Sequence, residues 1–316
     1  MGNILEDNSR SFLISSLNLK PTETLLIVTD EEKKDLAEAI YAAGKSIGAE
    51  TVLMVMQERE KSGQEPPASI AEAMKLSDVV ICITVHSLTH TKAKKDAVNA
   101  GARVATMPGI TYDMFLEGAI SADYEAVEKL TIQVTDLLSA ARQVKIEKSG
   151  YQLTFSIEGR AGVPSTGVYH KPGQSGNLPS GEAFIAPMEG TANGKIVIDG
   201  SIAGIGKVTE PVLLSIENGK LVGAEGKQGQ ELLSLLGDGD GRNVAEFGVG
   251  TNDKARVTGV VLEDEKVYGT IHIAFGSNNT FGGNVAAGVH IDGVVMEPTV
   301  FIDGELLLEK GVMEIK

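Results

Sequence analysis

The chain predicts an α/β half followed by a β-rich α+β half, on three observations. Short continuous runs of Val, Ile and Leu alternate with helical patterns as far as Ala141; from about Val144 the grammar becomes period-two alternation with glycine-rich turns; and no apolar stretch approaches the roughly 18 residues of a membrane span. With 316 residues, 42% hydrophobic and 22% charged, the chain is long enough for two cores and has an ordinary globular composition.

In chain order, strands are expected over 24–30, 50–56, 78–84 and 103–107, and helices over 31–47, 69–76, 93–100 and 121–141. Strands that are apolar throughout must be covered on both faces, which crossover helices achieve, so this half reads as a Rossmann-like, doubly wound parallel sheet. It lacks a dinucleotide fingerprint: Thr29-Asp30-Glu31-Glu32 follows the first strand, and those acids would repel phosphates. Beyond it, 152–157, 194–200 and 211–222 alternate as strands, with Asn218-Gly219 as a hairpin turn that needs positive φ at both positions. One helix is expected over 228–236, and a closing hairpin over 299–308 turns at Asp303-Gly304. The expected domains are 1–143 and 144–316, joined near Arg142 to Ser149, without an internal repeat.

A net charge of -15 with no basic run argues against a nucleic-acid partner, and nothing suggests a membrane. The single cysteine, Cys82, lies in an apolar run and reads as a buried, inert thiol. With no secretory signal at the N-terminus, a cytoplasmic protein is expected. The partner expected is a peptide or small-molecule substrate.

The candidate chemistry lies in the second half. His290 and Asp292 are two apart in Val-His-Ile-Asp-Gly-Val-Val, and His272 stands in Gly-Thr-Ile-His-Ile-Ala-Phe-Gly. On a strand, residues two apart share a face, so an imidazole and a carboxylate spaced this way can share one cation. Glu182 opens an apolar run after Leu-Pro-Ser-Gly, and Glu246 lies inside another; each needs a cation or several donors if buried. A solvent-facing or turn-capping glutamate is the plain alternative for either one alone. Together the five have the donor chemistry for divalent Zn, Co, Mn or Fe.

Four blocks, Pro-Ser-Gly-Glu-Ala-Phe-Ile-Ala-Pro, Ala-Glu-Phe-Gly-Val-Gly-Thr-Asn, Ile-His-Ile-Ala-Phe-Gly-Ser and His-Ile-Asp-Gly-Val-Val-Met-Glu-Pro-Thr-Val, resemble the metal-binding blocks of the aminopeptidase T (thermophilic leucyl aminopeptidase) family. That resemblance implies Glu182, Glu246, His272, His290 and Asp292 as ligands of a two-metal peptidase centre. One glutamate, Glu182 or Glu246, would bridge or act as general base, with Glu189 a further acid nearby. It also implies a homodimer, which the apolar C-terminal hairpin would suit. The family's tyrosine seven residues after the first histidine is replaced by Asn279, which cannot supply a phenolate. The same blocks resemble a related branch, the 2,5-dihydroxypyridine dioxygenases, for which His272, His290 and Asp292 would be the facial triad of a single non-haem iron. The low aromatic content, 4% with no tryptophan, tilts the reading toward the peptidase. A structural or degenerate metal site in a binding protein is the third reading, against which stand five candidate ligands and no thiolates.

The remaining histidines read more plainly. His86 and His90 follow a strand at its C-terminal end, where a solvated loop is the simpler reading although their spacing suits one helical face. His170 and Lys171 lie in a glycine-rich loop before Glu182, with a substrate-facing role open. The turn-rich segment 276–284 joins His272 to His290 and is expected to rim the site.

Overall fold

The computed structural model describes residues 2–315, which divide into two units. The first runs to Glu128 and also takes Gly167–Ser180; the second comprises Lys129–Thr166 and the chain from Gly181 onward. Compared with the domains expected from sequence, residues 129–143 go with the second unit and the segment Gly167–Ser180 returns to the first. The reason for that return is pairing: the segment's short strand Ser175–Asn177 adds in parallel to Arg103–Thr106.

In the first unit, β1 (Thr24–Asp30), β2 (Glu50–Met56), β3 (Val79–Ile83), β4 (Arg103–Thr106) and β5 (Ser175–Asn177) form a parallel sheet in the order β2-β1-β3-β4-β5. β3 is buried at all five residues, as a strand covered on both faces must be. The helices Lys34–Ile47, Ala68–Lys75 and Lys92–Asn99 make the crossovers, so the α/β expectation holds. The Thr91 side chain caps the third by accepting from Lys94 N. The sequence reading did not foresee the helix Gly2–Ser15, which buries Phe12 and Leu13 and sets Phe12 edge-on to Phe115.

The second unit holds two antiparallel sheets, one of eight strands and one of seven. Their inner faces share one apolar core: Val144, Ile146, Leu153, Phe155, Ile196 and Leu214 from the first meet Ile185, Phe247, Val249, Ile271 and Ile273 from the second. Phe155 and Phe247 touch across it with ring centres 5.5 Å apart. Burying a side chain such as Phe247 fully contributes about 2–3 kcal/mol. Both predicted turns form, with φ of 49° and 76° at Asn218 and Gly219 and of 50° and 88° at Asp303 and Gly304. The predicted helix is Gly226–Leu236. Among the described residues no helix is long and apolar enough to cross a membrane.

Candidate metal centre

Four strands of the seven-stranded sheet position the site: β6 (Glu182–Ile185), β7 (Val244–Gly250), β8 (Ile271–Gly276) and β9 (His290–Val295). Register assigns the faces. Glu182 pairs with Gly250, Phe184 with Gly248, Gly248 with His272 and His272 with Val294; Glu246 pairs with Ala274, and Ala274 with Asp292. Directly paired residues point to the same side, so Glu182, Phe184, Glu246, His272, His290 and Asp292 all lie on one face. Phe247, Val249, Ile271 and Ile273 point the other way, into the core. Between the functional side chains stand Gly248, Gly250, Ala274 and Gly276, and at the glycines neighbours take the place of a side chain: a Cβ at Gly250 would lie 2.1 Å from the Val267 carbonyl oxygen and one at Gly276 2.2 Å from that of Val289.

Two details of this arrangement are local. A register shift between Val244 and Glu246 lets Val244 pack in the core while Glu246, two residues on, faces the site. At Gly248, opposite His272, a Cβ would lie 2.0 Å from His272 Nε2, so only glycine accommodates the imidazole there.

The five candidate residues converge. His272 Nε2 is 3.1 Å from Glu246 Oε1 and 3.6 Å from Glu182 Oε2; His290 Nε2 is 3.5 Å from both Glu246 Oε2 and Asp292 Oδ1. Glu246 therefore stands between the two imidazoles. Two groups have ligand atoms within 4.8 Å of one another: Glu246, His290 and Asp292, and Glu182, Glu265 and His272. His290 Nδ1 is 2.8 Å from the Ser277 carbonyl, which only accepts, so Nδ1 carries the proton and Nε2 presents its lone pair to the carboxylates when the ring is neutral. Glu182 Oε2 and His272 Nδ1 are buried without hydrogen-bond partners. A lone pair on His290 Nε2 turned toward two carboxylate oxygens, Glu246 Oε2 and Asp292 Oδ1, each at 3.5 Å, is a donor set that fits a divalent cation.

Electrostatics follows from burial. Desolvation raises the carboxyl pKa values of Glu182, Glu246 and Glu265, against the opposing pull of Lys266 or His272. Burial also opposes the charging of His272, but the hydrogen bond to Glu246 and the charges of Glu182 and Glu265 outweigh it and push the imidazole up to about 9. A metal ion entering must displace that proton. Asp292 is held below the usual carboxylate range: burial acts against this, and the His290 contact prevails.

Two members of this cluster escaped the sequence reading, Glu265 and Lys266. Lys266 is 1% exposed, with Nζ 2.6 Å from Glu182 Oε1 and also bonded to Glu265 Oε1. They belong to Glu263-Asp264-Glu265-Lys266, a charge run of the kind that normally marks a solvated face. Here Glu263 and Asp264 are also fully buried, and Asp264 accepts from the Thr258 and Gly259 amides.

Other expected positions lie elsewhere. Asn279 is exposed in a turn, and the buried amide is its neighbour Asn278. Asn278 Nδ2 and Asn284 N donate to Glu189 Oε1, while Glu189 Oε2 pairs with Arg160; Glu189 thus secures the loop between β8 and β9. That loop carries Phe281 against His290, with ring centres 5.9 Å apart, as expected of a rim. His86 and His90 sit in a bend and a turn, not on a helical face; His86 faces Glu58 at 3.7 Å and His90 is exposed. His170 is exposed and bonds the Ser15 carbonyl, and Lys171 is exposed.

The family model for 2,5-dihydroxypyridine 5,6-dioxygenase (NicX) matches residues 10–315. The chain belongs to that family. It is 24% identical over 197 residues to the 2,5-dihydroxypyridine 5,6-dioxygenase of Pseudomonas putida, so that alignment spans about half of each protein, 55% in both cases. A solved structure of 2,5-dihydroxypyridine dioxygenase from Pseudomonas putida superposes with a TM-score of 0.82 at 17% identity, covering 100% of this chain and 98% of the other. AmpT from Thermus thermophilus superposes with a TM-score of 0.74 at 19% identity, covering 99% of both. At these identities the structural likenesses establish the fold alone. The resemblance to the aminopeptidases is thus borne out as shared fold, while the family is the dioxygenase branch.

Proposed function

We propose that this chain is a mononuclear non-haem iron dioxygenase that opens the ring of a small hydroxylated N-heteroaromatic of the dihydroxypyridine type. The observation that carries this reading is an aromatic wall beside the candidate ligands. Phe184 lies on the site face, Phe281 stands edge-on to it at 5.5 Å, and Phe281 in turn stands edge-on to the His290 imidazole. Such a wall suits a planar aromatic substrate. The low aromatic content had favoured a peptidase; two of the eight phenylalanines are nevertheless placed here.

His272, His290 and Asp292 are the residues that would hold the iron, and when bound it supplies the dioxygen chemistry that no side chain here provides. The Ser277 carbonyl orients His290 so that Nε2 is the ligating nitrogen. Glu246, between the imidazoles, is the acceptor for a substrate hydroxyl proton. The His290 side chain is 32% exposed, which marks the side from which substrate approaches.

A second reading, a two-metal aminopeptidase, is favoured by one feature: Glu182, Glu265 and His272 form a second ligand group beside the first. Protein loaded anaerobically with ferrous iron, or with Zn, Co or Mn, is assayed for oxygen uptake with 2,5-dihydroxypyridine and for leucyl-anilide hydrolysis. Oxygen uptake with iron that disappears in His290→Ala, together with lost metal content, is the expected result. Anilide hydrolysis with two bound ions and no oxygen uptake would overturn it.

A further inference from the structure

The second ligand group is not free. Lys266 is buried with its ammonium 2.6 Å from Glu182 and bonded to Glu265, two of that group's three members. A lysine ammonium has three protons to donate and no lone pair while charged, so the partners fix it as a cation. With His272 assigned to the first ion, a second divalent ion would be left with Glu182 and Glu265 and would have to share both carboxylates with this ammonium inside a buried site, where like charges repel strongly. The group Glu246, His290 and Asp292 has no lysine bonded to it among the contacts of the described residues, and His272 faces it through Glu246. The unequal treatment of two adjacent acidic groups is the observation that points to one metal.

We propose that the Lys266 ammonium is the permanent occupant of the second cation position, so that this residue sets the metal stoichiometry of the centre. The inference rests on the metal-dependent reading above and names the residue that makes the centre mononuclear. Removing the charge while keeping much of the side-chain length opens Glu182 and Glu265 to a second ion.

The test uses full-length protein equilibrated with excess Mn²⁺, comparing wild type, Lys266→Met and Lys266→Arg by metal analysis and electron paramagnetic resonance. The expected result is one equivalent with the resolved hyperfine pattern of an isolated ion in wild type and Lys266→Arg. Lys266→Met should bind two equivalents and give the exchange-broadened spectrum of a coupled pair. Two equivalents in wild type would overturn the proposal even if Lys266→Met fails to fold; so would one equivalent in a folded Lys266→Met. Absence of bound metal from wild type is a different failure, which removes the metal reading itself and this inference with it.

Discussion

Gly248→Ala probes how tightly the sheet is fitted to its histidine. The added Cβ would lie 2.0 Å from His272 Nε2 and 2.1 Å from Cε1, where ordinary contacts begin at 3.4 Å, so the ring must retreat by about 1.4 Å. His272 is fully buried, so that displacement is resisted on every side and costs about 1–3 kcal/mol of stability. A ligand nitrogen moved by more than an ångström loses its bond, and misplacement on this scale costs about a hundredfold, or about 2.7 kcal/mol. The expected outcome is a folded protein with a lowered melting temperature and Mn²⁺ affinity reduced about a hundredfold by calorimetric titration. Gly223→Ala is the control: its Cβ would meet only Ser215 Cβ at 3.9 Å, and both quantities should stay near wild type. Unchanged melting and affinity in Gly248→Ala would refute the claim that this glycine exists to admit the imidazole.

Two further outcomes follow from burial and charge. The Cys82 thiol is buried and desolvation pushes it up to about 12, with Lys94 pulling weakly the other way, so at pH 8 it should resist iodoacetamide until denaturant unfolds the chain; rapid labelling of folded protein would contradict its placement. The carboxyl of Glu189 lies below the ordinary 4.5: burial acts to raise it, and the Asn284 amide, Asn278 and Arg160 together prevail. A depressed folded-state pKa stabilises above the unfolded value and is lost as pH falls through the folded one, so the protection factors of the amides over 278–285, their rates relative to the intrinsic ones, should fall as pH drops below about 4.5. Glu189→Gln should show fast exchange already at neutral pH; a loop equally protected in both proteins would show that Glu189 does not secure it.

Much of this protein was legible in the order of its residues. The apolar runs at β1 and β3, the helices between them, and the turns at Asn218-Gly219 and Asp303-Gly304 depend on local rules of burial and backbone conformation, so neighbours in sequence suffice to read them. The same holds for the facing of His290 and Asp292, two apart on one strand. Register between strands is a different matter, because it is set by packing across the sheet. Only the folded chain shows that a bulge turns Glu246 toward His272 while Val244 enters the core. Only it shows that Lys266, within a run of charges that reads as surface, is drawn inside because Glu182 and Glu265 arrive beside it to neutralise its charge. Sequence sets which groups can bind a cation; tertiary structure decides which acids already have one, since desolvation and pairing depend on distances between residues remote along the chain.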